Sequence, residues 1–329
     1  MSLIGCTIYR WGGDVEAKVR LLKPHYVVVG SGAWNDIDAI AGACAPVAPL
    51  IVMRDMTENL IDLLPEFVIS EMAVVASRKF YRKVAFHLLN ESYSDVEKAK
   101  AWELKAIAYC QKLHLPGTVA LNGAYGNDPD DRFKDVAELS KLVGWHLYDG
   151  FRENGSGYVD RVHTSRRYLR DSWPRWWPRN KHIATEVGIE AFPATGQRSG
   201  WADMGIPEAT VSLRILENAV HWKADGLLGT CWFTAGHTEQ SWNEGYGMTE
   251  AMARLWGEKG PEPNTEEENM PTLDDVGEQF LKIQRTLNEA KKAASFTVQG
   301  AAVDEVFAIA GDGYNMVQEI KKARAPAPV

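Results

Sequence analysis

Val84-Ala85-Phe86-His87-Leu88-Leu89-Asn90-Glu91-Ser92 is a short apolar run that ends abruptly in an amide and a carboxylate. Its length and its aliphatic and aromatic content fit a buried strand over Val84–Asn90. Just beyond it, Ser94-Asp95-Val96-Glu97 has the form of a capping box. There the Ser94 side chain accepts from the backbone three residues on while Glu97 reaches back, and a helix follows to about Leu113. A buried strand that passes through a polar turn into a helix is one βα unit.

The same rhythm recurs along residues 1 to 233. Eight apolar runs stand out: Leu3–Tyr9, Tyr26–Gly30, Pro49–Met53, Val84–Asn90, Thr118–Asn122, Leu142–Tyr148, His182–Glu186 and Leu227–Trp232. Most lead through a polar turn into a helical pattern. Pro207 sits where a first helical turn tolerates a missing N–H, and Thr249–Trp256 reads as a shorter helix. Strands alternating with helices imply parallel strands joined by right-handed crossovers, and eight of them closed in a ring make a (β/α)8 TIM barrel. The rival is an open doubly wound sheet. Gly30-Ser31-Gly32-Ala33-Trp34 argues against it, because the third glycine of a dinucleotide fingerprint is missing and a Trp stands where a pyrophosphate needs room.

The barrel is expected over residues 1–258. From Gly260 to Asn269 the chain turns acidic, polar and proline-bearing, so 259–272 reads as a linker. Residues 273–329 are expected to form a helical C-terminal extension, with helices over Leu273–Ala294 and about Ala301–Lys322. They either pack on the outside of the barrel or join copies of the chain into a homo-oligomer.

The 329 residues are 45% hydrophobic and 24% charged, which fits a soluble globular protein with a sizeable core. A net charge of −8 argues against nucleic acid or an anionic membrane as partner, since both call for clustered cations. A neutral or weakly charged ligand fits better. The first thirty residues lack a signal-peptide pattern and no run is long enough for a membrane span, so a cytoplasmic location is expected. Cys6, Cys44, Cys110 and Cys231 show no C-x-x-C spacing and read as buried free thiols. Twelve tryptophans, several in segments expected to be loops, offer flat aromatic surfaces that suit the apolar faces of a ligand.

In such a barrel the C-terminal ends of all eight strands converge on one face. Strands four and seven end in Glu91 and Glu186, so the topology brings two distant carboxylates to one pocket. Glycosidic bond cleavage uses such a pair. Carboxyl groups about 5–5.5 Å apart serve attack by one on the anomeric carbon, while about 6.5–9.5 Å admits a water and gives inversion. A negative nucleophile nearby raises the other group's pKa and keeps it protonated.

Asn90-Glu91 at the end of a fourth strand and Thr185-Glu186 at the end of a seventh resemble clan A of the glycoside hydrolases, the retaining (β/α)8 enzymes. The resemblance implies that Glu91 is the acid/base and Glu186 the nucleophile. His146-Leu147-Tyr148 is similar to the clan's His-x-Tyr on strand six, where the Tyr contacts the nucleophile and the His lies near it. Cys231-Trp232-Phe233 on strand eight is similar to the place where the clan commonly has a Trp as the floor of the sugar site. The likeness covers residues 3–258, assigns no single family, and implies a carbohydrate substrate with no cofactor or metal.

Each residue also has a plainer reading. Asn90 either caps the turn or bonds a sugar hydroxyl. Arg54, closing the third strand, either holds Glu186 ionised, bonds a hydroxyl, or ties down its loop through a salt bridge. His146, Tyr148 and Trp232 are either site residues or core filling. Tyr9, Trp34 and Asn122 end strands or open loops and are candidates for lining the cleft, with Trp201 and Trp242 as outer stacking platforms. The sequence therefore points to a retaining glycoside hydrolase acting on an oligo- or polysaccharide. The alternative is a non-catalytic carbohydrate-binding or structural protein on the same barrel.

Overall fold

Every one of the eight apolar runs forms a strand, in the expected order. The computed structural model describes residues 3–45, 49–55, 60–78, 83–89, 95–121, 131–153, 158–160, 182–192, 199–203, 205–224, 226–236 and 245–262. Its elements are β1 (Ile4–Ile8), α1 (Gly13–Leu22), β2 (Tyr26–Gly30), α2 (Ile37–Ala43), β3 (Leu50–Arg54), α3 (Pro65–Arg78), β4 (Val84–His87), α4 (Val96–Leu113), β5 (Thr118–Leu121) and α5 (Lys134–Leu139). These are followed by β6 (Leu142–Glu153), β7 (Tyr158–Asp160), β8 (His182–Phe192), β9 (Ser199–Gly200), α6 (Glu208–Ala224), β10 (Gly229–Trp232) and α7 (Glu250–Lys259).

Strands β1 to β6, β8 and β10 pair in parallel around a closed ring. β10 joins β1 through Ile4↔Thr230, and β6 joins β8 through Val143↔His182. This is a (β/α)8 barrel. The short strands β7 and β9 are antiparallel additions to β6 and β8.

Alternation along each strand separates two layers. Tyr26 and Val28, Leu50 and Val52, Ala85, Val119, Leu142, Ile183, Leu228 and Cys231 form one cluster inside the ring. Their strand neighbours Val27, Val29, Ile51, Met53, Phe86, Val143 and Trp145 pack outward with helical residues such as Val19, Ile69, Ala106 and Ile215. Each fully buried large side chain in that shell contributes about 1.5–3 kcal/mol. The interior leaves little spare room: a Cβ on Gly229 would lie 2.1 Å from the Tyr26 ring.

Helix starts differ slightly from the sequence pattern. The cap of α4 is Asp95, whose side chain accepts from Lys98 N at 2.9 Å. The box expected at Ser94 is thus displaced by one residue, and Ser94 itself lies outside the described residues. Thr249 caps α7 by accepting from Met252 N at 3.1 Å. After that helix the chain returns to the base of the barrel, where Leu3 N donates to Pro261 O at 2.7 Å. The linker from 263 and the C-terminal helices lie outside the described residues.

Strand lengths differ more. The sixth and seventh barrel strands, expected to stop at Tyr148 and Glu186, continue to Glu153 and Phe192. Beyond the rim they stay paired, through Gly150↔Glu190 and Arg152↔Phe192. The paired extension keeps backbone groups satisfied where a loop was expected.

Candidate active site

Toward the C-terminal strand ends the inward positions change from aliphatic to polar. The β3 series Leu50, Val52 continues as Arg54, and the β4 partner of Arg54 in register is His87. On β6 the inward series Leu142, Gly144 continues as His146 and Tyr148, which therefore share a face as their spacing implied.

Strand β8 needs an irregularity to join them. Ile183 faces inward, so strict alternation would send residue 186 outward into the helix shell. A β-bulge prevents this: Trp145 pairs with Ala184 but His146 pairs with Glu186, leaving Thr185 as the extra residue. Such bulges re-aim a side chain at the cost of one ladder position. Glu186 turns inward, and its side chain is only 6% exposed.

The carboxylate is gripped at both oxygens. Arg54 Nη1 donates to Oε1 at 2.5 Å, and Tyr148 Oη donates to Oε2 at 2.8 Å. His146 Nδ1 lies 3.6 Å from Oε2. The guanidinium of Arg54, itself completely buried, is held on its other edges. Its Nε donates to His87 Nδ1 at 3.1 Å, Nη1 also to Tyr9 Oη at 3.0 Å, and Nη2 to the bulged Thr185 carbonyl at 3.5 Å.

These contacts set the charges. Burial pushes the Glu186 carboxyl up, but His146, Arg54 and the hydrogen bonds from Tyr148 and Arg54 outweigh it and hold the pKa below the ordinary carboxylate value. Burial, with Arg54 adding to it against the pull of Glu186, lowers His146 to about 4. His146 is therefore neutral near pH 7 and carries charge only in the acid range where Glu186 itself titrates, so near pH 7 the cation beside the Glu186 carboxylate is Arg54. Burial opposes the charge on Arg54 too, yet Tyr9 and Glu186 more than offset it and leave its pKa raised. A buried, ionised and doubly oriented carboxylate suits nucleophilic attack at an electrophilic carbon.

Of the residues singled out from sequence, Arg54, Glu186, His146, Tyr148 and Tyr9 come together here. Glu91, Asn90, Asn122 and Trp242 lie outside the described residues. Trp232 does not line the site as expected. The inward residues of β10 are Gly229 and Cys231, so Trp232 has the opposite parity; it is fully buried against Trp256 of α7, with ring centroids 5.1 Å apart. Its Nε1 donates to Tyr246 O at 2.9 Å. Phe233, one residue on, takes the inward direction instead, its ring 5.8 Å from Tyr9 and 6.0 Å from Tyr246. Trp34 is also a core residue and not a cleft wall, buried with Nε1 donating to Val29 O at 3.1 Å. Trp201 is 7% exposed within the same shell, which leaves no outer face for stacking.

Sequence reasoning missed His87, Phe233 and the small residue that seats Tyr148. A Cβ on Gly188 would lie 2.6 Å from Tyr148 Cε1, so the ring rests directly on the Gly188 backbone. Parity was available for His87, two positions after inward-facing Ala85. The Thr185 bulge left no pattern from which to find it.

No protein-family model matches the chain, and no curated protein matches it in sequence. Solved structures with a similar fold include the spore cortex-lytic enzyme SleL of Bacillus megaterium, 11% identical with a TM-score of 0.52, covering 78% of this chain and 73% of that one. The endo-β-mannanase/endo-β-glucanase of Prevotella bryantii is 8% identical with a TM-score of 0.50, covering 77% and 48%. A calcium-binding mutant of Bacteroides uniformis β-glucuronidase 2 is 11% identical with a TM-score of 0.50, covering 75% and 32%. This chain thus spans about a third of the β-glucuronidase and about half of the Prevotella enzyme. At these identities the likeness is one of fold.

Proposed function

We propose that the chain is a retaining glycoside hydrolase of clan A type, with Glu186 as nucleophile and Glu91 as acid/base. The observation that carries this reading is the condition of Glu186: ionised, buried and held at both oxygens at the end of the seventh parallel strand. Barrel enzymes of this architecture place their chemistry at that face. The activities of the Prevotella and Bacteroides neighbours, endo-β-mannanase/endo-β-glucanase and β-glucuronidase, belong to the same reaction class.

In the first displacement a Glu186 oxygen attacks the anomeric carbon, the glycosidic C–O bond breaks, and the departing oxygen takes the proton of Glu91. A glycosyl ester on Glu186 results. In the second, Glu91 takes a proton from water, the water oxygen attacks the same carbon, and Glu186 leaves as a carboxylate. Arg54 and Tyr148 orient the nucleophile in both steps, and neutral His146 is available to bond a sugar hydroxyl near it. The extension of β6 and β8 beyond the rim supports an oligo- or polysaccharide substrate, since it raises one side of the barrel mouth next to Tyr148 and Glu186.

The test is a screen of aryl glycosides and polysaccharides with E186Q as blank. Wild-type protein should turn over a member of the panel and E186Q should lose about 10³-fold or more. E91Q should keep activity on activated aryl glycosides, whose leaving groups need little protonation. Equal rates in wild type and E186Q would overturn the assignment.

A further inference from the structure

His87 is completely buried on β4, in register with Arg54 on β3. Its Nδ1 lies 3.1 Å from Arg54 Nε. A guanidinium is always a donor, so the imidazole nitrogen facing it must offer a lone pair. The ring's single proton then belongs on Nε2, which has no hydrogen-bond partner among the described residues. Burial, Arg54 and His146 all disfavour a second positive charge on this ring, and together they outweigh a backbone hydrogen bond with Leu89 that favours it.

Arg54 would otherwise have freedom at this edge. Its two terminal nitrogens are occupied by Tyr9, Glu186 and the Thr185 carbonyl, and only the Nε bond fixes the plane of the fork from the stem side. A five-donor planar group delivers a directed bond to one carboxylate oxygen only when its plane is fixed. Nothing about a histidine three residues before Asn90 marks it for this role in the sequence.

We infer that His87 is a positioning residue, locked as the neutral Nε2–H tautomer, that orients Arg54 so that its Nη1 meets Glu186. It touches no reacting atom and shuttles no proton; while it accepts from Arg54 it has no lone pair left to take one. The inference rests on the reading of Glu186 as nucleophile for its catalytic consequence, but the hydrogen-bonding role is independent of it.

The experiment uses the full chain with two substitutions, H87N and H87L. Asparagine can present an acceptor oxygen near the Nδ1 position and leucine cannot. Nitrogen-15 NMR of the wild-type ring should show a protonated Nε2 and a bare Nδ1 between pH 5 and 8, with no titration. The Glu186 carboxyl is followed by carbon-13 NMR of labelled glutamate, assigned by its loss in E186Q. Its midpoint should stay close to wild type in H87N and rise by about one pH unit in H87L. On any substrate found, kcat/KM should fall about 10- to 100-fold in H87L and recover most of that in H87N, with the acidic limb following the carboxyl midpoint. Thermal unfolding of both variants separates loss of fold from loss of orientation. A ring that titrates between pH 5 and 8, a proton on Nδ1, or identical carboxyl midpoints in H87N and H87L would overturn the inference. A carboxyl response as expected with no glycoside turned over would uphold the positioning role and count against the proposed function.

Discussion

Arg54 and Glu186, 132 positions apart, meet at 2.5 Å in a site where neither side chain is more than 6% exposed. A buried ion pair repays its desolvation only when its geometry is good and its remaining hydrogen-bonding groups are satisfied. Both conditions are approached here, through Tyr9, His87 and Thr185 on the guanidinium and Tyr148 on the carboxylate. Substituting R54M leaves a buried carboxylate without its cation. The expected loss is about 3–5 kcal/mol at pH 7. Glu186 has a depressed folded pKa, so the stability it contributes is present above the unfolded carboxylate value and is lost as pH falls. The deficit of R54M should therefore shrink as pH is lowered toward 4, which urea unfolding across that range will read.

Tyr148 reaches Glu186 because its ring lies on Gly188. Y148F removes one charge-assisted bond and keeps the ring packing, including the edge contact with Tyr246 at 6.2 Å. Turnover should fall by a factor corresponding to about 1.5–3 kcal/mol, with the unfolding midpoint little changed. G188A displaces the ring itself and should lose both activity and stability. If G188A is as active as wild type, Tyr148 does not need this seat.

Much of this arrangement was readable in the sequence, for definable reasons. Eight apolar runs separated by helical patterns fix the barrel, because buried parallel strands admit few other residues. Once the strands are counted, Arg54, Glu186, His146 and Tyr148 fall at one rim. What was not readable depends on single-residue shifts. The Thr185 bulge reverses the direction of Glu186, and no residue type there marks it. On β10 the same period-two logic separates Trp232 from Phe233, and family resemblance pointed to the wrong one of the pair. The continuation of β6 and β8 past the rim depends on pairing between segments far apart in sequence, which local patterns do not report.

Trp232 and Phe233 should separate cleanly by mutation. W232A opens a cavity between β10 and α7 and removes the bond to Tyr246 O, for an expected loss of about 3–5 kcal/mol. F233A removes a ring from the inner face beside Tyr9 and should raise KM for a glycoside more than it lowers stability. A KM effect in W232A larger than in F233A would return Trp232 to the site.

His146 gives stability a pH dependence from the acid side. Its folded pKa of about 4 lies below the ordinary imidazole value of 6.5. Between those values the unfolded chain binds a proton that the folded chain does not, so stability rises with pH across this window. The contribution is about 3 kcal/mol, complete above pH 6.5 and lost as pH falls toward 4. His87 and His25 are shifted in the same direction, so H146Q should flatten this slope only in part. Urea midpoints at several pH values between 4 and 7 will measure the difference.

Glu103 acts in the opposite sense. It lies on α4 among Ala99, Ala106 and Ile107, 5% exposed, and burial alone raises its pKa from 4.5 to about 8. Here the folded chain holds a proton that the unfolded chain releases above about pH 4.5. The slope is therefore negative: this group subtracts stability progressively from pH 4.5 to pH 8. The shift corresponds to a loss on the order of 5 kcal/mol at the upper end. E103Q keeps the shape and removes the ionisation from both states. It should leave stability near pH 4.5 almost unchanged and raise it by up to that amount at pH 8, a gain that chemical denaturation can resolve at either pH. Between pH 4.5 and 6.5 the His146 and Glu103 slopes oppose each other and largely cancel, while above pH 6.5 only the Glu103 slope remains, so wild-type stability should fall from there toward pH 8 and E103Q should remove that fall. An equal effect of E103Q at pH 4.5 and pH 8 would mean that the Glu103 carboxyl is not held protonated by its burial.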